Sequence, residues 1–532
     1  MSKVDFIIVI TYMLGMVLIG YRLGKKNETQ EDYFLAGRSM PWLPVGLSVA
    51  ATMVSANGFV GGPGWAYNSG IGPFMVNITV PLAIMAALYT TIPVFYNLKL
   101  TSVYEYSEKR LGVISRNLTV MGFLMNSLIQ VSSMVYIPAL IINKFTDFEI
   151  KISVTIIVVI AIVYTLLGGI KAVIWTDATQ MIILWGGLIF AFSQIFRVTG
   201  LSLGETYTIA REAGKLEAID FTFNLTSTNG FWASLVGGFI MWVRYFGLDQ
   251  GQVQRILTSK SYRGVKNSFV VSAVIMNILY FLFMALGVLL FIYYDGREFD
   301  TSNGIMIDFI ANNLPVGVVG LLISGIFAAA MSSIDSLLNS MTTVYTKDIH
   351  ERFFSKSHRI TSLKGSMIIS TVFGVLIIIF SLIGFSGSMK SVLDVIGSYI
   401  SYLSGPMCGA FFLAMFTVRS NDRGVASGIV LGMFLTFILS RNISYSWIWN
   451  PFIGFVFTSI TGYLGSFIFK SEKTIEENYR YTLMGQRREL LKRGEVTEEG
   501  VSKLPLALDR YSVLLLVFFL SQYIILYIMG LC

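Results

Sequence analysis

The chain has 532 residues, of which 54% are hydrophobic, 14% aromatic and only 13% charged. This composition indicates an integral membrane protein and excludes an ordinary soluble domain. The net charge of +8 does not indicate nucleic-acid binding, because the basic residues are concentrated in loops on one predicted side of a membrane, and the two cysteines are too few for a disulfide framework.

Fourteen apolar runs are long enough to cross a bilayer, which takes about 17–25 residues per helix. They lie at 4–23, 41–68, 72–97, 118–143, 150–168, 173–197, 229–257, 267–293, 314–346, 364–385, 389–416, 424–440, 451–470 and 511–530. Lysine and arginine are enriched in alternate loops, which places those loops in the cytoplasm and both termini outside. We therefore predict an all-α, multi-pass protein of the cell membrane, with a charged cytoplasmic loop at 471–510.

Two of the runs contain helix-weakening residues. In the second run, three further glycines or prolines stand between Gly58 and Gly64, which predicts an interruption in its outer half. In the seventh run, Asp249 and Gln250 stand between two glycines. Interruptions at corresponding places of two five-helix halves predict an inverted-repeat (5+5) transporter with its site near the membrane midplane. In this single domain, 1–532, the leading helix is 4–23, the repeats are 41–197 and 229–416, and the peripheral helices are 424–470 and 511–530.

The ninth run has one polar face in an otherwise apolar helix. Ala329, Ser332, Ser333 and Ser336 share that face, and Asp335 lies beside it. Hydroxyl, carboxylate and carbonyl oxygens are ligands for hard cations, and an ionisable residue inside a membrane marks an ion or substrate path. The alternative is that the small residues only permit close helix packing and the serines bond back to their own helix. The aspartate favours the cation site.

Six local motifs resemble those of the sodium:solute symporter family, and the resemblance covers residues 5–470. The motifs are EDYFLAGRSMPW at 31–42, LKLTSVYEYSEKRLG at 98–112, GGIKAVIWTDATQ at 168–180, GQVQRILTSKS at 251–261, GIFAAAMSSIDSLLNS at 325–340 and SGPMCGAFFLAMFTVRSNDRG at 404–424. The resemblance implies a symporter core of this inverted-repeat kind, with Na⁺ as the coupling ion and a small solute as the second cargo. We expect no nucleic-acid partner, and no obligate protein partner is evident from the sequence.

The resemblance also implies which residues bind sodium. The main site would use the carbonyl groups of Ala51, Val54 and Ala329 and the hydroxyl groups of Ser332 and Ser333. A second site, present in some members, would map to Asp177, Ser332, Asp335 and Ser336. The members with two sodium sites have Ser or Thr where Asp335 stands, so the sequence leaves open whether one or two ions move in each cycle.

The residues expected to face the solute are Ser55, Asn57, Asn77, Gln130, Arg244 and Tyr245. They reproduce neither the sugar pocket nor the sialic-acid pocket of the family. Arg244 could present a bidentate fork to a carboxylate, or it could pair with Asp249 instead. The sequence favours sodium-coupled import of an organic anion or acidic sugar, with a neutral sugar as the alternative. A proton-coupled carrier, a channel and a sensor are the other classes considered, and no motif predicts an enzyme.

Overall fold

The computed structural model describes residues 2–24, 29–146, 148–353, 363–384 and 392–531. The helices of the first half are α1 Lys3–Gly24, α2 Gln30–Leu35, α3 Trp42–Met53, α4 Gly62–Ser69, α5 Val80–Tyr89, α6 Thr91–Asn97, α7 Val103–Arg110, α8 Val113–Thr146, α9 Ile150–Thr199 and α10 Leu203–Glu212. The second half contains α11 Phe231–Ala233, α12 Phe239–Leu248, α13 Gln250–Ile256, α14 Tyr262–Tyr293, α15 Ser302–Asn312, α16 Val318–Val344, α17 Glu351–Phe353, α18 Leu363–Gly384 and α19 Val392–Phe416. The last part contains α20 Asp422–Asn442, α21 Asn450–Ile468, α22 Ile475–Arg480, α23 Leu483–Arg493, strands β1 Thr497–Glu498 and β2 Val501–Ser502, and α24 Arg510–Leu531.

Each predicted membrane run has a helical counterpart, so the all-α membrane fold is confirmed. Twelve helices in the described residues are long and apolar enough to span a membrane. The two other runs correspond to a broken span, α3 with Asn57–Ser69, and to the shorter apolar helix Ile150–Val163. The latter joins the next span in α9, where Gly169 at φ +59° interrupts the helix. Residues 385 and 389–391 of two predicted runs lie outside the described residues.

The first turn of α1 and the last turn of α24 lie on one side of the helix bundle. Near the N-terminus, the Asp5 carboxylate accepts hydrogen bonds from the backbone N–H groups of Gly317 and Gly320, at 2.7 and 2.9 Å. Near the C-terminus, the Tyr207 hydroxyl donates to the carbonyl of Met529 at 3.2 Å. These contacts join each terminus to a segment that the charge pattern places outside.

The opposite side carries the segment 471–510, predicted as a charged loop. It folds into α22, α23 and an antiparallel hairpin of β1 and β2. The segment is tied to the bundle, because Tyr106 donates to the carbonyl of Tyr481 at 2.8 Å and Arg110 donates to Asn478 at 2.9 Å. It therefore covers the side that the charge pattern assigns to the cytoplasm.

The break in the second span lies earlier than the sequence suggested. α3 ends at Met53, Val54 has φ −81° and ψ +82°, and the two half-helices meet at 58°. The predicted interruption at Gly58–Gly64 is wrong, because residues 57–61 form a π-helical turn and Gly62–Ser69 is α-helical. A Cβ atom on Gly64 would clash with the backbone carbonyl of Ser302. That glycine serves close helix packing rather than helix breaking.

The break in the seventh span lies where the sequence predicted it. α12 ends at Leu248, and Asp249 adopts an extended conformation (φ −82°, ψ +125°) before α13 begins at Gln250. The Asp249 side chain accepts a hydrogen bond from the backbone N–H of Gly251 at 2.8 Å. It therefore caps the second half-helix and satisfies one of its otherwise unpaired N–H groups.

Candidate sodium and solute sites

The polar face of α16 lies against the break after α3. The Ser332 hydroxyl donates to the carbonyls of Ala51 and Ala329, at 3.2 and 3.1 Å. The Ser333 hydroxyl lies 3.2 Å from the carbonyl oxygen of Ala329 and 3.1 Å from that of Thr52. The structure thus brings together four of the five residues predicted for the main sodium site and adds a carbonyl that the sequence analysis missed.

The conformation of the chain explains why these carbonyls can serve as ligands. The last carbonyl groups of any helix have no partner within that helix, and α3 ends inside the protein rather than in water. Ala51 is 4% exposed and Val54 is fully buried. Val54, the fifth predicted residue, lies at the break, and its N–H donates to Ala50 at 3.0 Å. Carbonyl and hydroxyl oxygens at such a break suit Na⁺ without any formal charge.

Two of the four residues predicted for a second sodium site, Asp177 and Ser336, are joined through an arginine. Asp177 of α9 accepts a hydrogen bond from Ser48 at 2.5 Å, and its carboxylate lies 3.6 Å from Nε of Arg255. Arg255 also donates to Ser48 at 2.9 Å and to the hydroxyl of Ser336. Arg255 and Asp177 are both fully buried, as is Asp335 on α16.

Sequence reasoning did not identify Arg255, although it lies in the GQVQR motif directly after the seventh-span break. A buried arginine always carries its charge and needs an anionic partner. Asp177 supplies that negative charge, so the positive partner of the Asp177 carboxylate is the Arg255 side chain.

A cavity of about 150 Å³ lies beside the break after α3. It is lined by all six residues predicted to contact the solute: Ser55, Asn57, Asn77, Gln130, Arg244 and Tyr245. The rest of its wall is mainly apolar or aromatic and includes Met53, Trp65, Trp242, Tyr280 and Trp447. An apolar wall with a few polar groups is the usual form of a small-molecule site.

Two of the polar lining residues have defined partners. Asn57 donates to the Ser133 hydroxyl at 3.1 Å, while its buried Oδ1 atom has no hydrogen-bond partner among the described residues. The Tyr245 hydroxyl accepts a hydrogen bond from Gln252 at 2.7 Å. A buried acceptor without a partner is costly, and Asn57 lies on the wall of this cavity.

Arg244 is almost completely buried and is held from two directions. Its Nη2 atom lies 2.9 Å from Oδ2 of Asp249, so the ion pair considered from the sequence is present. With the Asn126 amide oriented so that its oxygen faces the guanidinium, that oxygen lies 2.9 and 2.5 Å from Nη1 and Nη2. The Arg244 Nε atom has no hydrogen-bond partner within the described part of the chain.

This chain is similar in sequence and in fold to known sodium-coupled symporters. The family described as the sodium:solute symporter family matches residues 33–432. The sodium/sialic acid symporter SiaT of Proteus mirabilis (strain HI4320) is 29% identical, over 89% of this chain and 96% of the relative. The sodium/sialic acid symporter NanT of Aliivibrio fischeri (strain ATCC 700601 / ES114) is 30% identical, over 90% of this chain and 95% of the relative. A solved structure of a substrate-bound, outward-open Na⁺-coupled sialic acid symporter has a TM-score of 0.80 at 28% identity, covering 89% of this chain and all of that one.

Proposed function

The chain belongs to the sodium:solute symporter family and is a multi-pass, sodium-coupled symporter, and from that premise we propose that its solute is a small organic anion or acidic sugar. The observation that carries the proposal is the buried Arg244 on the wall of the cavity. Its Nε–H group has no hydrogen-bond partner among the described residues, and a charge-assisted hydrogen bond to a solute would contribute about 1.5–3 kcal/mol. The similar symporters named for sialic acid support the same class of solute.

We propose that Na⁺ binds between α3 and α16, at Ala51, Val54, Ala329, Ser332 and Ser333. The same break carries Ser55 into the wall of the solute cavity. An ion that holds α3 against α16 therefore also positions the residues that contact the solute. This shared element supplies the coupling, because each cargo favours the arrangement that the other one needs.

We propose further that Asp177, Ser332, Asp335 and Ser336 do not hold a second sodium ion. The guanidinium of Arg255 lies at Asp177 and Ser336, where a second cation would have to bind. A cation at that position would be repelled by the arginine, so one sodium ion moves with each solute. No catalytic step is part of this proposal.

A neutral sugar remains the second candidate, and the Arg244–Asp249 pair is the observation that favours it. Because Asp249 compensates the charge of Arg244, the cavity wall carries no net charge from this pair. Binding experiments distinguish the candidates. The purified protein in detergent is heated with and without Na⁺ in the presence of N-acetylneuraminate, its methyl ester or galactose. Sodium-dependent stabilisation by the acid that exceeds that by the ester and by galactose supports the anion, and the reverse order supports the neutral sugar.

A further inference from the structure

We propose that Asp249 is a specificity-determining residue, which sets the net charge that the site presents to a solute. The inference rests on the proposed function in one respect only, namely that the cavity containing Arg244 is the solute site. It goes further, because it assigns a role to a carboxylate outside the predicted contact set. It also explains how a buried arginine can bind an anion and then release it.

The first step is geometric. Asp249 Oδ2 and Arg244 Nη2 are 2.9 Å apart, and both side chains are only 2% exposed. The reoriented Asn126 oxygen contacts both Nη1 and Nη2, so two atoms of the protein hold the end of the guanidinium through three contacts. The orientation of Arg244 is thereby fixed before any solute arrives, which lowers the entropic cost of binding.

The second step is electrostatic. A solute carboxylate at Arg244 also experiences repulsion from Asp249, which lies on the same guanidinium. In a buried site this repulsion is only weakly screened by water and salt. Asp249 therefore reduces the affinity for an anion without removing the arginine that selects it. A transporter needs this balance, because a solute that binds too tightly is released too slowly.

The third step connects the pair to the helix break. The second carboxylate oxygen of Asp249 accepts the N–H of Gly251 and caps α13, and α13 carries Arg255. A solute that binds Arg244 beside Asp249 thus lies next to the residue at which the seventh span changes direction. Asn is an equally good helix cap, so Asp249→Asn removes the charge while retaining the acceptor and the shape of the side chain.

The experiment uses the full-length protein at saturating Na⁺ and measures dissociation constants for N-acetylneuraminate and for its neutral methyl ester. The quantity of interest is the ratio of the ester constant to the acid constant. We expect this ratio to increase by about tenfold or more in Asp249→Asn and maximal uptake of the acid to fall, because release slows. Asp509→Asn removes another carboxylate that is paired with a buried lysine, and it should leave the ratio at the wild-type value.

A ratio that is unchanged in Asp249→Asn, or that shifts toward the ester, overturns the inference. If that variant does not fold, Arg244→Gln/Asp249→Asn and Arg244→Gln are compared, since together they isolate the effect of the carboxylate. The double variant should then favour the acid more than Arg244→Gln does, and equal ratios overturn the inference. A wild type that prefers the ester contradicts the proposed solute class, whereas the shift caused by Asp249→Asn still tests the role of Asp249.

Discussion

The hydroxyl of Ser333 on α16 lies 3.1 Å from the carbonyl oxygen of Thr52, a residue 281 positions earlier at the end of α3. This contact joins the two polar segments that the sequence could describe only separately. It places the serine pair at the point where α3 ends inside the membrane. The site thus depends on two elements whose relative position a sodium ion can stabilise.

Removal of the Ser333 hydroxyl tests the role of this contact. Ser333→Ala takes away one oxygen ligand, so we expect a several-fold increase in the sodium concentration that gives half-maximal uptake. Ser324→Ala is the matched control, because Ser324 lies on the same helix and its hydroxyl donates to the carbonyl of Gly320 at 2.8 Å. An equal sodium dependence of the wild type and Ser333→Ala would contradict the proposed site.

The arginine beside Asp177 leads to a prediction about stoichiometry. Uptake should depend on sodium with a Hill coefficient near one, because Arg255 supplies the positive charge at that carboxylate. Asp177→Asn should leave this coefficient unchanged and lower the melting temperature, since a buried arginine without its anion costs about 3–5 kcal/mol. A coefficient near two in the wild type that falls to one in Asp177→Asn would restore a second sodium site.

Replacement of Arg244 tests the solute class. Arg244→Gln removes the charge and leaves a side chain that can still form hydrogen bonds. The preference for N-acetylneuraminate over its methyl ester should fall by about tenfold or more, which corresponds to the loss of one charge-assisted hydrogen bond. The two dissociation constants are measured at saturating sodium, and a preference that survives the replacement places the selection elsewhere in the cavity.

The charged segment after α21 contributes to stability through a buried lysine. Lys266 at the start of α14 is 1% exposed and lies 2.6 Å from Asp509, which also accepts a hydrogen bond from Tyr89. Burial alone would raise the pKa of Asp509. The hydrogen bonds from Lys266 and Tyr89 together outweigh that effect, so the pKa lies below its usual value. The contribution to stability is therefore complete at neutral pH and is lost only as the pH falls through that lowered pKa.

Asp509→Asn should accordingly lower the melting temperature at pH 7 by several degrees. Glu472→Gln provides the control, because Glu472 is 88% exposed and lies 3.9 Å from Arg423. An exposed ion pair of this kind contributes little to stability, so this variant should have the same melting temperature as the wild type. Equal melting temperatures for both variants and the wild type would show that Lys266 does not need its partner.

The glycines of the second span are predicted to act through packing. Gly64→Ala would place a Cβ atom against the backbone carbonyl of Ser302, which cannot move aside as a flexible side chain can. We expect this variant to give little folded protein. Gly15→Ala should be tolerated, because no heavy atom lies within 4 Å of its Cβ position. Fluorescence-detected size-exclusion chromatography compares the two, and a normal Gly64→Ala profile would contradict the packing argument.

Hydropathy was sufficient to predict the helices, because the length and apolarity of a segment are local properties of the chain. The six residues predicted to face the solute line one cavity. The exact position of the break in the second span was not predicted, because glycine weakens a helix in isolation but also permits close packing, as at Gly64. Periodicity cannot separate these two roles.

The contacts of Arg255 and Asn126 could not be predicted for a different reason. Both depend on distant segments, since Arg255 meets Asp177 of α9 and Asn126 meets Arg244 of α12. A sequence shows that such residues lie in apolar surroundings and need partners, but it does not show which partners they have. Only the three-dimensional arrangement shows that Arg255 pairs with Asp177 and that Asn126 contacts Arg244.

Sodium coupling through the junction of α3 and α16 is the central claim, and uptake into proteoliposomes tests it most directly. Labelled N-acetylneuraminate is supplied either with an inward sodium gradient or with an inward proton gradient in sodium-free buffer, for the wild type and for Ser332→Ala/Ser333→Ala. The account predicts accumulation only in the wild type and only with sodium. Equal accumulation with the proton gradient, or sodium-driven accumulation that survives the loss of both hydroxyl groups, would contradict it.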